Sequence, residues 1–194
     1  MEHYYTALFR YIQQIIELPE KDKESCRETF KALQMKKDTM LETAGKVPLY
    51  HNFIVSGYMR KFYINDKGEE VTVDLNKGPR FFTSYLQFAN QTVSEEYLHC
   101  ITDCELLRIG KADADRTVQT SSTQKDYTIR LFQQVMEEGK QRMNELATLT
   151  AEQRYRNFIR DCPDIMKHVP LKYIASYLGI KPESLSRIRR EIIS

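Results

Sequence analysis

The stretch PLKYIASYLGIKPESLSRIRREIIS, Pro170 to Ser194, carries two short helical patterns on either side of a tight turn. In the first, Ile174, Ala175 and Leu178 make an apolar stripe, and the small Ala175 lets a second helix cross close by. Gly179 follows Leu178 where a helix end takes a left-handed residue. Ile180 plugs the turn, Lys181 falls near the next N-cap, and Pro182 suits a first helical turn because its missing N–H would go unpaired there. Leu185, Ile188 and Ile192 bury one side of the second helix. Glu183, Ser186, Arg187 and Arg190 fall on the other, presenting a carboxylate, a hydroxyl and two guanidinium forks. Such groups read cytosine N4, a base edge or phosphate, and guanine O6/N7. The spacing predicts a helix-turn-helix whose second helix enters a DNA groove, against the plainer alternative of a helical hairpin with a solvated basic face.

The charge distribution agrees. The chain has 194 residues with 29 Lys/Arg and 27 Asp/Glu, so its net charge of +2 is no global signature of a nucleic-acid binder. From Thr150 to Ser194, however, nine Lys/Arg stand against five Asp/Glu, leaving 20 against 22 elsewhere. A basic end on a slightly acidic body fits a DNA-binding module joined to something else.

Upstream of that module, residues 122–149 read as one long helix. Ile129, Phe132, Met136, Gly139, Met143 and Leu146 recur at intervals of three and four, a heptad seam beside polar Gln133, Glu137 and Lys140. So narrow a seam predicts a partner helix, hence a homodimer, with Gly139 permitting close approach of two backbones. Residues 150–168 read as a further helix, with Ala151, Tyr155, Phe158 and Ile159 inward, closed at Cys162-Pro163.

The first 121 residues change period. Residues 2–17 place Tyr5, Leu8, Phe9, Ile12 and Ile16 on one helical face, and a second helix turns Cys26, Phe30 and Leu33 inward. From Met40 onward, short alternating runs are punctuated by Gly45, Gly57, Gly68 and Gly78, the pattern of an antiparallel roll. Asp66-Lys67-Gly68 marks a hairpin turn into EEVTVDL, and residues 96–110 read as the last strand pair, turning near Thr102-Asp103. The fold class expected is α+β: N-terminal helices and an antiparallel jelly roll over 1–121, a dimerisation helix over 122–149, and a helical DNA-binding domain over 150–194.

The four cysteines, Cys26, Cys100, Cys104 and Cys162, lack zinc spacing and read as buried thiols in a reducing compartment, although Cys100 and Cys104, four apart, can face one side. No signal peptide and no membrane-spanning stretch is legible, so a cytoplasmic protein is expected.

This order of elements resembles the Crp/Fnr family of bacterial transcription regulators over nearly the whole chain. The resemblance is most specific in AEQRYRNFIRDCPDIMKHVPLKYIASYLGIKPESLSRIRR (151–190) and extends to IVSGYMRKFYINDKGEEVTVDL (54–75). The tail is similar to the branch common in Bacteroidetes. The resemblance implies that Arg187 pairs with a guanine, Glu183 with a cytosine, and Ser186 with a thymine or phosphate. Lys181, Ser184 and Arg190 would clamp the DNA backbone, and RNA polymerase would be a further partner. The effector half departs from the family. Where a cyclic-nucleotide site has a Gly-Glu pair and an Arg-Ser pair, this chain has Thr83 and Ser84, and Val93-Ser94-Glu95-Glu96. Without the arginine fork and beside two carboxylates, cyclic AMP binding is not expected. The N-terminal segment lacks the cysteine cluster of an iron–sulfur sensor. Neither cofactor nor metal is expected.

An unidentified small effector in the roll is the alternative, with Phe82, Thr83, Ser84, Ser94 and Thr128 as candidate pocket residues from position alone. A cupin-like metalloenzyme with a helical tail is a remoter one, since His51 and His99 lack the ligand spacing it needs.

Overall fold

The computed structural model describes residues 1–193. The chain opens with α1 (Glu2–Gln13) and α2 (Glu20–Thr29). Eight strands follow: β1 (Lys31–Met35), β2 (Met40–Glu42), β3 (Tyr50–Ser56), β4 (Tyr58–Ile64), β5 (Glu70–Lys77), β6 (Arg80–Phe81), β7 (Tyr97–Cys100) and β8 (Cys104–Gly110), with α3 (Tyr85–Asn90) between β6 and β7. They form two antiparallel four-stranded sheets in the orders β1-β8-β3-β6 and β2-β7-β4-β5. The expected α+β fold with a jelly roll is what the chain adopts.

Strand alternation explains how one sheet is buried on both faces. Ile54, Cys104 and Leu106 point between the sheets and pack with Met59, Phe82, Leu98 and Cys100. Their neighbours Phe53, Leu107 and Ile109 point to the opposite face, as the two-residue period of a strand requires, and meet Leu8, Phe9 and Ile12 of α1. The β4–β5 hairpin turns at Gly68 (φ +78°), whose N–H donates to the Asn65 carbonyl at 2.9 Å. Gly57 forms the corner between β3 and β4, which lie in different sheets. Its φ is +100°, and a Cβ there would lie 2.6 Å from both the Asp103 carbonyl oxygen and the Cys104 sulfur.

Several expected boundaries move. Helix α1 ends at Gln13, and Tyr4 is buried in place of Tyr5. Leu33 belongs to β1 because α2 stops at Thr29. β7 and β8 are not paired with each other. Each joins a different sheet, since the chain crosses over at Ile101-Thr102-Asp103. The stretch 150–168 is two helices, α6 (Ala151–Asp161) and α7 (Ile165–His168), broken at Cys162-Pro163 as proline demands. α4 (Lys111–Thr120) precedes the long α5 (Ser122–Thr148), and α8 (Leu171–Leu178) and α9 (Pro182–Ile193) close the chain.

The C-terminal helices do not stand apart from the roll. Leu75 and Ile101 are buried in one cluster with Tyr155, Phe158, Ile174, Ala175, Leu178, Leu185 and Ile188. Arg60, 2% exposed, fastens this contact. Its guanidinium lies 4.1 Å from the Phe62 ring and 3.6 Å from the Tyr173 ring, donates from Nε to His99 Nδ1 at 3.0 Å, and pairs with Glu70 at 2.6 Å. At the edge strand β5, the Ser176 hydroxyl accepts from the Thr72 N–H at 2.9 Å and donates to the Glu70 carbonyl at 3.2 Å.

Inside the roll, the Glu42 carboxylate accepts from Asn52 Nδ2 at 2.7 Å and from Thr83 Oγ1 at 3.1 Å, while its second oxygen is buried without a partner. Burial pushes Glu42 up to about 7 against these hydrogen bonds.

Two outcomes follow from this packing. Gly57→Ala imposes both a left-handed alanine and an overlap with backbone, and is expected to lower stability by at least ~2 kcal/mol in denaturant titration. Glu42 keeps its proton in the folded chain up to about pH 7 but loses it near its ordinary value of 4.5 when unfolded. Stability it contributes is therefore fully present below pH 4.5 and falls as pH rises through 7, by ~2–3 kcal/mol at most. Glu42→Gln should flatten the thermal midpoint across that window.

Candidate nucleic-acid interface

The α8–α9 junction is built by local chemistry. Gly179 takes the left-handed conformation (φ 66°), and the Ile180 N–H reaches back to the Ala175 carbonyl at 3.0 Å, closing α8. Pro182 opens α9, and the Leu185 N–H donates to the Lys181 carbonyl at 3.0 Å. Leu185 and Ile188 are buried against Ile174, Ala175 and Leu178. Glu183, Ser186, Arg187 and Arg190 are all exposed on the opposite side of α9, Lys181 is exposed at its start, and Ser184 is half-buried. The structure thus brings the six predicted residues together on one helix and turn, with the carboxylate, the hydroxyl and the arginines outward.

Two arginines that sequence reasoning passed over brace this unit. Arg154 donates from Nε to the Leu178 carbonyl at 2.9 Å and from Nη1 to the Leu149 carbonyl at 2.6 Å, and Arg142 of α5 donates to the Tyr177 carbonyl. Both place positive charge on the carbonyl end of α8, where it is favourable. No spacing rule identifies such partners, because they meet only once α5, α6 and α8 have packed.

Helix α5 has two unlike faces. Gln124, Tyr127 and Leu131 are buried against the roll. Ile129, Met136, Met143 and Leu146 are 48%, 74%, 70% and 42% exposed, Gly139 is exposed with open space where a Cβ would be, and Phe132 is half-buried with its ring 6.1 Å from that of Tyr85. The last seam residue touches the turn: a Cβ on Gly179 would lie 3.2 Å from a Leu146 methyl.

The predicted pocket residues divide. Phe82, Thr83, Ser84 and Ser94 are buried inside the roll, where Thr83 serves Glu42 and the Tyr50 carbonyl, and the Ser94 hydroxyl donates to that of Ser84 at 3.3 Å. Thr128 lies elsewhere, on α5, lining a cavity of about 160 Å³ with His51, Phe81, Tyr85, Phe88 and Phe132. His51 is held neutral there, lowered to about 3 by burial. Thr128 thus lines a cavity to which the other four do not contribute. A larger cleft of about 550 Å³ lies between β5, α5, α6 and α8. Arg80, which lines this cleft, pairs with Glu138 of α5 and donates to Asn76 Oδ1 at 2.8 Å, so its charge is already answered. Among the described residues no cluster of three or more His, Cys, Asp or Glu could hold a metal ion, and no helix is long and apolar enough to cross a membrane.

No family model and no curated protein matches the chain. Solved structures do. FixK2 of Bradyrhizobium japonicum superposes with a TM-score of 0.74 at 13% identity, covering 84% of this chain and 84% of its own. A Crp/Fnr-family transcriptional regulator of Eubacterium rectale gives 0.70 at 17% identity over 90% and 83%. The c-di-GMP responsive global regulator CLP of Xanthomonas campestris gives 0.69 at 16% identity over 87% and 89%. What such likeness shows at these identities is architecture: the chain has the fold of the Crp/Fnr transcription regulators.

Proposed function

We propose that this protein is a sequence-specific transcription regulator that binds double-stranded DNA as a homodimer and catalyses no reaction. The observation that carries the reading is the outer face of α9. Glu183, Ser186, Arg187 and Arg190 are exposed on a helix whose inner side is fixed by Leu185 and Ile188. Arg187, Glu183 and Ser186 read bases, whereas Lys181, Ser184 and Arg190 position the backbone. The exposed stripe on α5 is the surface on which two copies pair, so that two α9 helices enter successive major grooves about 34 Å apart on a palindromic site. Residues 1–121, 122–149 and 150–194 divide the work into effector roll, dimerisation helix and DNA reader. The tail-based kinship with Bacteroidetes regulators, a cytoplasmic location and contact with RNA polymerase belong to the same reading.

Cyclic AMP is not its signal. The Arg80–Glu138 pair fastens α5 to the roll with the chain's own charges, and an incoming cyclic phosphate would have to displace a carboxylate to reach that guanidinium. Control by another small molecule is favoured by one feature, the 550 Å³ cleft where roll, α5 and the C-terminal helices all contribute lining residues. CLP, with a similar fold, is described as c-di-GMP responsive.

On a site recovered by selection from random DNA, Arg187→Ala should lose about 1–3 kcal/mol, roughly 5- to 150-fold, and relax one base position. Equal affinities of wild type and variant for selected and scrambled DNA, measured by fluorescence anisotropy, would defeat the assignment. Met136→Asp places a charge in the middle of the α5 stripe and should give a folded monomer at micromolar concentration by light scattering; an unchanged dimer mass would move the interface elsewhere.

A further inference from the structure

The cavity that Thr128 lines is walled largely by aromatic rings, and two of its wall residues carry a buried polar atom without a partner. It lies on the helical side of the β1-β8-β3-β6 sheet. Phe30, Phe81, Tyr127 and Leu131 of its wall belong to the core that α1 and α5 share with that sheet, not to the cluster between the sheets. Tyr85 is a common wall between this cavity and the 550 Å³ cleft. Exposed Ala89 of α3 and exposed Asp115 of α4 also line it, so it opens to solvent between those two helices.

Most polar groups of the wall are already committed. The Tyr85 hydroxyl donates to the Phe81 carbonyl, the Thr117 hydroxyl to the Ala114 carbonyl and the Thr128 hydroxyl to the Gln124 carbonyl, each at 2.8 Å. Lys111 donates to Asp115 at 2.6 Å, so the one cation and the one anion of the wall neutralise each other. Two atoms differ. The hydroxyl of Tyr127, a residue 4% exposed, and His51 Nε2 are buried without a hydrogen-bond partner among the described residues. Both rings lie against Phe81, His51 stacked on it at 4.5 Å and Tyr127 at 6.2 Å between centroids. A buried hydroxyl or ring nitrogen left unpaired carries the full cost of its desolvation, so a molecule that enters the cavity and pairs with it is favoured.

We propose that this cavity binds a neutral, apolar molecule the size of a single ring that carries one hydroxyl group. Its volume sets the size: an apolar cavity of roughly 150 Å³ holds one benzene, and this one measures about 160 Å³. Its charges set the neutrality. With Lys111 and Asp115 paired and His51 uncharged, a carboxylate or an ammonium would enter without a counter-ion. Its two unpartnered atoms set the hydroxyl. Tyr127 offers an O–H, and Nε2 of a neutral imidazole donates or accepts according to tautomer; a hydroxyl does both and can pair with either atom. Because Tyr127, Thr128, Leu131 and Phe132 all belong to α5, occupancy bears directly on that helix. Any effect on DNA binding depends on the function proposed above; the binding itself does not.

The test titrates the full chain with benzyl alcohol, toluene and benzoate, followed by methyl NMR. Benzyl alcohol should bind saturably, with nuclear Overhauser contacts from its ring protons to the methyls of Val118 and Leu131, and benzoate should not bind. A cavity that holds water alone gives no saturable shift and no such contacts with either neutral probe, and that result overturns the site; benzoate binding as tightly as benzyl alcohol overturns its neutrality. Tyr127→Phe removes a hydroxyl that bonds nothing in the protein, and His51→Phe keeps a ring to stack on Phe81. In at least one of them the affinity for benzyl alcohol relative to toluene should fall about 3- to 10-fold, the loss of one hydrogen bond. A ratio unchanged in both variants overturns the assignment of the hydroxyl. Ala114→Leu narrows the cavity and should weaken both neutral probes at least about tenfold; unchanged affinity places binding elsewhere and overturns the site, and if this variant fails to fold the contacts to Val118 and Leu131 decide the location. No readout involves DNA, so failure here is separable from failure of the proposed function.

Discussion

A buried cation sits where the two halves of this molecule meet. Arg60 belongs to β4, yet it is met by Glu70 of β5, His99 of β7 and Tyr173 of α8. A buried guanidinium is costly unless paired and hydrogen-bonded, and these groups offset that cost although Nη1 is left without a partner. His99 supports it by remaining neutral: burial, then the neighbouring Arg60 charge, hold its pKa below the usual range, which leaves Nδ1 free to accept. The position of α8 on the sheet, and through α8 that of α9, is thereby set by electrostatics as well as by apolar burial.

The long helix is the other constraint. One face of α5 is committed to the roll through Tyr127 and Leu131, while the Ile129–Leu146 stripe is left uncovered. Its C-terminal end reaches the α8–α9 unit twice, through Arg142 at the Tyr177 carbonyl and Leu146 beside Gly179. A rotation of α5 about its axis would move the exposed stripe and the support of α8 together, because the same turns of helix carry both.

What was legible in the sequence follows the range of the interactions involved. The α8–α9 turn and the β4–β5 hairpin are set by Gly179, Pro182 and Gly68, whose backbone preferences act within a few residues. The α5 stripe is a property of one helix and shows in its period. The fate of residues 96–110 was not legible: a turn signal between two apolar runs looks the same whether the strands pair with each other or part into two sheets, and the distant partners decide it, β1 and β3 for β8 and β2 and β4 for β7. The pocket residues illustrate the same limit. Thr83 and Ser84 follow β6 in the short link to α3 and are buried in the roll, where their hydroxyls meet Glu42 and Ser94, partners far away in sequence. The bracing role of Arg142 and Arg154 arises from packing among three helices and has no local pattern.

The capping of β5 by Ser176 has a meaning beyond its two hydrogen bonds. β5 is the outermost strand of its sheet, and an uncovered edge presents unpaired N–H and C=O groups to any other extended chain. Here helix α8 lies over that edge and a serine answers its free donor and acceptor. The α8–α9 unit thus guards the roll: packed in place, it leaves the sheet without a sticky border at β5 and so protects the protein against self-association through that strand.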